Sequence, residues 1–140
     1  MTAKEYLKQI EMNDIKISQK QEELEEMRQW SVSISAGGDR ERVQTSGTGD
    51  RVGNAAVRIV SLEGEINREI DAFYNFKHEV INQIHDLNVA KYINILHKRH
   101  IQYKNFDTIG REMDYSDSHV MRIYHDALKA FKDLHMNKSK

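Results

Sequence analysis

Ser118, His119, Arg122, His125 and Lys129 fall on the outside and flank of one helix if Val120, Ile123 or Tyr124, Ala127 and Phe131 face inward at steps of four, three and four. The outward set is rich in hydrogen-bond donors. Arg122 can set two parallel donors against the O6 and N7 edge of guanine, worth roughly 1 to 3 kcal/mol of discrimination against a wrong base. Ser118 and His119, in the first turn, would project deepest into the major groove of double-stranded DNA, with Ser116 at the head of the same helix also on the DNA-binding side. Thr108, Arg111, Lys104 and Arg99 precede them where phosphate contacts usually set register. Asp117 has two readings, a favourable charge at the helix N-terminus or an acceptor for a cytosine amino group. His119 and His125, when protonated, would add to the attraction for a polyanion. No nucleophile, base or metal set accompanies these residues, so recognition is expected and an enzyme is not.

The elements that must position this face are three short helices. Residues 89–102 place Tyr92, Ile95, Leu96 and Ile101 inward. A one-to-two-turn helix capped by Asn105 or Asp107 then carries Phe106, Ile109, Gly110 and Met113 inward. Asp114, Tyr115 and Ser116 make a tight turn, with Ser116 as N-cap of a helix running to about Met136. Gly110 lacks a β-carbon and lets the two helices cross closely; Ala127 serves the same purpose one helix later. A short helix, a three-residue turn and a Ser-capped helix are the layout of a helix-turn-helix. The alternative is an ordinary trihelical cap that touches no nucleic acid.

Upstream, Thr2 and Glu5 form a capping-box pattern. Ile10, Ile17 and Leu24 then recur at seven residues, with Leu7 and Met27 beside them, which predicts an amphipathic helix over residues 2–31 or 2–34. Residues 35–51 hold four of the seven glycines and almost no apolar side chain, and are expected to be a loop. From Val52 the positions Ala56, Ile59, Ile66, Ile70, Phe73, Val80, Ile84 and Leu87 follow a coiled-coil period, broken where Glu63 and Lys77 take seam positions. The expectation is an all-α protein: a long antiparallel helical hairpin over residues 1–88, then a helix-turn-helix domain over 89–140. Such a hairpin buries one stripe per helix, so Ile10, Ile17, Leu24, Ile66, Ile70, Phe73, Val80 and Ile84 are expected to serve oligomerisation, most simply as a homodimer, the alternative being one long arm packed on its own C-terminal domain.

The composition agrees with this division. The 140 residues carry a formal net charge of -1, yet residues 1–90 hold 11 basic against 16 acidic side chains and residues 91–140 hold 10 against 6. A polyanion would meet only the C-terminal end. No cysteine is present, which removes disulfides, thiolate nucleophiles and sulfur-ligated metals. No apolar run approaches the roughly 20 residues of a membrane span and the N-terminus is unlike a signal peptide, so no membrane partner is expected and the location is cytoplasmic. No cofactor is expected.

Other constellations have plainer readings. His97 and His100 stand three apart without a third ligand, and are expected to be solvated or phosphate-facing. Gly47-Thr48-Gly49 lacks the Gly-Lys-Ser/Thr of a phosphate loop. His78-Glu79 has no downstream histidine of a zinc peptidase. Glu22, Glu23, Glu25 and Glu26 read as a solvated coat, and Trp30 as a pin at the hairpin's tip.

The run Leu96-His97-Lys98-Arg99-His100, the segment from Phe106 to Met113, Tyr115-Ser116, His119-Val120 and Ala127-Leu128 together resemble the promoter-reading region four of bacterial sigma factors. More closely still, they resemble phage transcriptional regulators of the ArpU and RinA kind and their Gram-positive prophage relatives. The likeness extends to the acidic run at residues 21–26, to Val43-Gln44-Thr45-Ser46, whose role the residues do not reveal, and to the stretch at 62–67. It implies a phage-encoded regulator, working in the host cytoplasm, with two copies reading half-sites, and leaves room for contact with host RNA polymerase. Asp126 departs from the pattern, standing where sigma-like helices often carry a base. The competing expectation is a protein-interaction module, an inhibitor or adaptor of a host system, that works through the hairpin.

Overall fold

The computed structural model describes residues 1–40 and 45–137, with side chains described outside residues 35–51. Five α-helices follow one another: α1 Ala3–Arg40, α2 Thr45–His85, α3 Ala90–Leu96, α4 Phe106–Met113 and α5 Asp117–Phe131. Single π-helical turns extend α3 through His97–Ile101 and α5 through Lys132–Met136. There is no strand among the described residues.

Helix α1 opens on the expected capping box. The Thr2 amide donates to Glu5 Oε1 at 2.8 Å and the Glu5 amide donates to Thr2 Oγ1 at 3.1 Å. These reciprocal bonds satisfy two of the free donors of the first turn, and they hold the Glu5 carboxyl below the usual carboxylate range. The two long helices overrun the expected loop: α1 continues to Arg40 and α2 begins at Thr45, so Thr45 and Ser46 are helical. Val43 and Gln44 lie outside the described residues. Glycine costs a helix about 1 kcal/mol but does not block it as proline would, and the chain has no proline.

The chain divides into two compact units, one of Met1–Asp14 with Phe73–Lys140 and one of Ile15–Ala72. The expected boundary at residue 88 is therefore displaced. In the first unit the three short helices share a core with the start of α1 and the end of α2. Tyr6 lies 5.5 Å from the Phe76 ring and 5.9 Å from Phe131, and its hydroxyl donates to Gln83 Oε1 at 2.9 Å. The Tyr103 hydroxyl donates to Asp14 at 2.8 Å, and a His135 ring nitrogen lies 2.7 Å from the Gln83 carbonyl oxygen. Burial, then the Asp14 carboxylate, drives the Tyr103 phenol well above its ordinary pKa.

In the second unit Leu24, Leu62 and Ile66 form a core, with Met27, Ile59 and Ile70 packed against it. Lys20 bridges Glu65 at 2.6 Å and Glu69 at 2.5 Å, and Arg28 pairs with Glu63. The α2 seam passes through Ala55 and Leu62, not through Ala56 and Glu63 as the spacing predicted. Val52, Ala55, Ile59, Leu62 and Ile66 satisfy the same three-and-four rhythm, and this setting frees Glu63 to meet Arg28. Trp30 is 41% exposed. Glu22, Glu23, Glu25 and Glu26 are exposed, as a charged coat should be.

The residues assigned to oligomerisation are already used within the single chain. Ile10, Ile17, Leu24, Ile66, Phe73, Val80 and Ile84 are buried, and Ile70 is half-buried. A stripe that needs covering has been covered intramolecularly. No helix among the described residues is long and apolar enough to cross a membrane.

Candidate nucleic-acid interface

The candidate interface comprises α4, a three-residue turn and α5, all within the first unit. Asn105 caps α4, its Oδ1 accepting from the Thr108 amide at 2.8 Å. Between the two expected caps, Asn105 takes the position and Asp107 supplies charge to the first turn. Helix α4 stops because Asp114 adopts a left-handed conformation with φ 62°, and the Tyr115 amide donates to the Gly110 carbonyl at 2.9 Å. Ser116 is then extended, and its Oγ accepts from the His119 amide at 3.3 Å to open α5. A β-carbon on Gly110 would lie 3.1 Å from both the Tyr115 carbonyl oxygen and Val120 Cγ2. Glycine is thus what allows α4 to approach the turn and α5 this closely.

Helix α5 hides Val120, Ile123, Tyr124, Ala127 and Phe131. Both candidates for its second inward position, Ile123 and Tyr124, are buried. The opposite face is open: Ser116, Asp117, Ser118, Arg122, His125 and Lys129 are exposed. His119 is half-buried, its ring 4.1 Å from that of Tyr115. Neither Arg122 nor Lys129 makes an ion pair among the described residues. Asp126 and Met121 share the exposed side, and dilute its charge.

The expected phosphate contacts are more constrained. Arg111 is exposed but pairs with Asp107 at 3.2 Å, one helical turn away. Thr108 is half-buried. Lys104 donates to Glu112 Oε1 at 2.9 Å and Oε2 at 2.8 Å, and Lys98 donates to Glu112 Oε1 at 2.7 Å. These bonds, led by Lys104, hold the Glu112 carboxyl below the ordinary carboxylate range. Arg99 is not a free phosphate contact: its Nη1 donates to the Lys104 carbonyl at 3.0 Å and its guanidinium lies 4.4 Å from the Phe106 ring centroid. A cation over an aromatic face with a backbone acceptor at hand is a better resting place than open solvent.

His100 departs furthest from expectation. It is buried at 4% exposure, with a ring nitrogen 2.8 Å from the Tyr124 hydroxyl. Burial, reinforced by the charge of Arg99, pushes its pKa down to about 4, so the ring is neutral at physiological pH. It neither meets phosphate nor stands in solvent. His97 is half-buried, and its pKa is lowered first by burial and then by neighbouring positive charge from His85 and Lys77. No three His, Asp or Glu side chains converge as a metal site among the described residues.

No family model, curated protein or solved structure matches this chain.

Two features of the interface were not anticipated from sequence. Glu112 takes lysines eight and fourteen residues away, a pairing with no local signature. His100 did carry a signal, since it stands four residues after inward-facing Leu96 and so on the same helical face.

Proposed function

We propose that the protein is a sequence-specific DNA-binding transcriptional regulator, of the phage type that the ArpU and RinA resemblance implies. Helix α5 enters the major groove and α4 lies across the backbone. One observation carries this reading. Helix α5 is two-sided, with Val120, Ile123, Tyr124, Ala127 and Phe131 buried and Ser118, Arg122, His125 and Lys129 exposed from its first turn to its last. The close crossing at Gly110 and the Ser116 cap add the geometry that a helix-turn-helix requires.

The hairpin reading of the arm is supported by its ion pairs. Lys20 meets Glu65 and Glu69 while Arg28, further along α1, meets Glu63, the order expected of antiparallel segments. A second copy reading the other half of a palindrome, or a host polymerase, would have to use surface other than the filled seam. Protein interaction through the arm is the second reading, and Val57 and Val60, each 68% exposed on α2, favour it.

Selection of bound fragments from random duplex DNA, followed by titration of the winner against scrambled sequence at several salt concentrations, tests the proposal. A regulator enriches one motif and binds it at least a thousandfold or so more tightly than scrambled DNA. Absence of enrichment, with salt-insensitive or no binding, refutes it and leaves the arm as the working surface.

A further inference from the structure

We propose that Lys98 and Lys104 form a seat for one backbone phosphate of duplex DNA, and that Glu112 occupies this seat in the unbound protein. The inference rests on the DNA-binding reading above. Lys98 lies in the π-helical turn after α3, Lys104 in the segment leading to α4, and Glu112 in the last turn of α4. Their three bonds, at 2.7, 2.8 and 2.9 Å, surround the two oxygens of a single anion. Converging ammonium donors of this kind suit a backbone phosphate equally well, because a phosphodiester, like a carboxylate, carries one negative charge shared between two oxygens.

The seat is held from behind. The Lys104 amide donates to the Lys98 carbonyl at 3.0 Å, which ties the two lysine backbones together. The Lys104 carbonyl in turn accepts from Arg99, itself anchored over Phe106. The two lysine side chains therefore start from neighbouring points of one fixed backbone segment, within reach of a common anion. The side chains are 25%, 30% and 35% exposed for Lys98, Lys104 and Glu112, so a phosphate can reach them from solvent. Rotation of Glu112 about its own side-chain bonds vacates the seat without moving the backbone. Glu112 belongs to α4, the first helix of the proposed helix-turn-helix, and that helix crosses the DNA backbone in such motifs.

Glu112 is then an internal competitor. Its single charge offsets one of the two positive charges that a phosphate would meet, and binding must displace it. If Glu112 were only a clamp between the turn and α4, removing its charge would not strengthen binding.

The test compares wild type, Glu112→Gln, Lys98→Gln with Lys104→Gln, and the triple change on a short duplex of mixed sequence across a salt series. Asp133→Asn, an equal change of net charge at an exposed position away from the lysines, controls for general electrostatics. Glu112→Gln should tighten binding about tenfold at low salt, and Asp133→Asn less than about twofold. The paired lysine change should flatten the salt slope by about 0.9, the loss of one phosphate, and should abolish the gain in the triple variant. Equal or weaker binding by Glu112→Gln, with wild type still binding DNA, overturns the seat and leaves the DNA reading standing. No DNA binding by any of these proteins overturns both. Should Glu112→Gln unfold, the lysine pair alone decides, since an unchanged slope excludes a phosphate there.

Discussion

The buried His100 ring makes a quantitative prediction about acid stability. Its pKa is about 4 in the folded chain against an ordinary 6.5. Between those values the unfolded chain takes up a proton on this side chain and the folded chain does not. The unfolded state binds more protons, so stability falls as pH falls. The contribution is flat above pH 6.5, declines by about 1.4 kcal/mol per pH unit below it, and levels off near pH 4. The total is about 3 kcal/mol, a large share of the roughly 5 to 15 kcal/mol that holds a typical domain together. His100→Gln replaces the ring with an uncharged group that can still face the Tyr124 hydroxyl. At neutral pH it should cost about 1 kcal/mol through a poorer hydrogen bond. In acid the titration that weakens wild type is gone, so the variant should become the more stable protein, with the curves crossing at roughly pH 5 to 6. Urea unfolding of both proteins from pH 4 to pH 8 measures the difference, in which all other titrating groups cancel. A difference that does not vary with pH would refute the burial argument and return His100 to the solvated role read from sequence.

The remaining predictions concern the interface. Arg122→Ala should cost about 1 to 3 kcal/mol in binding the selected site and relax preference at one base pair, with stability unchanged; footprinting and competition titration read both. Ser116→Ala removes the acceptor for the His119 amide and should lower unfolding stability by about 1 kcal/mol, while Ser116→Asp should preserve it. Gly110→Ala gains about 1 kcal/mol of helix propensity, but its β-carbon meets a backbone carbonyl fixed by the turn, so thermal unfolding should show net loss. Gly110→Leu should be several-fold worse and should also abolish DNA binding by prising α4 from α5.

What the sequence made legible was local. The Ser116 and Asn105 caps, the Thr2–Glu5 box and the inward set of α5 depend on residues within four positions of one another, where spacing determines contact. The α2 seam was read one residue off at Ala56 and Glu63 because Ala55 and Leu62 fit the same rhythm. The observed setting buries Leu62 where the alternative would bury Glu63, and it leaves Glu63 at the edge to pair with Arg28. The helix ends at Arg40 and Thr45 lie inside the expected loop because glycine weakens a helix without breaking it as proline does. The apolar stripe of Ile10, Ile17 and Leu24 was visible, but a stripe states only that something covers it. A second copy and another segment of the same chain leave the same pattern, and here the cover is internal.

The burial of His100 bears on function through the rotation of α5. Aliphatic contacts made by Val120, Ile123 and Ala127 are strong but carry no direction, and they tolerate modest rotation of a helix about its axis. The bond between the His100 ring and the Tyr124 hydroxyl has both a length and a direction. Phe106 meets the Tyr124 ring edge-on at 4.8 Å, and Arg99 in turn holds Phe106. Turning α5 by one residue would bring His125 inward in place of Tyr124 and leave the His100 nitrogen without a partner in an apolar setting, at a cost of about 1 to 3 kcal/mol. The same turn would carry Arg122 away from the centre of the open face. A polar pair beneath the helix thus sets which side chains stand above it, and this gives a physical reason for placing an imidazole where an aliphatic residue would pack as well.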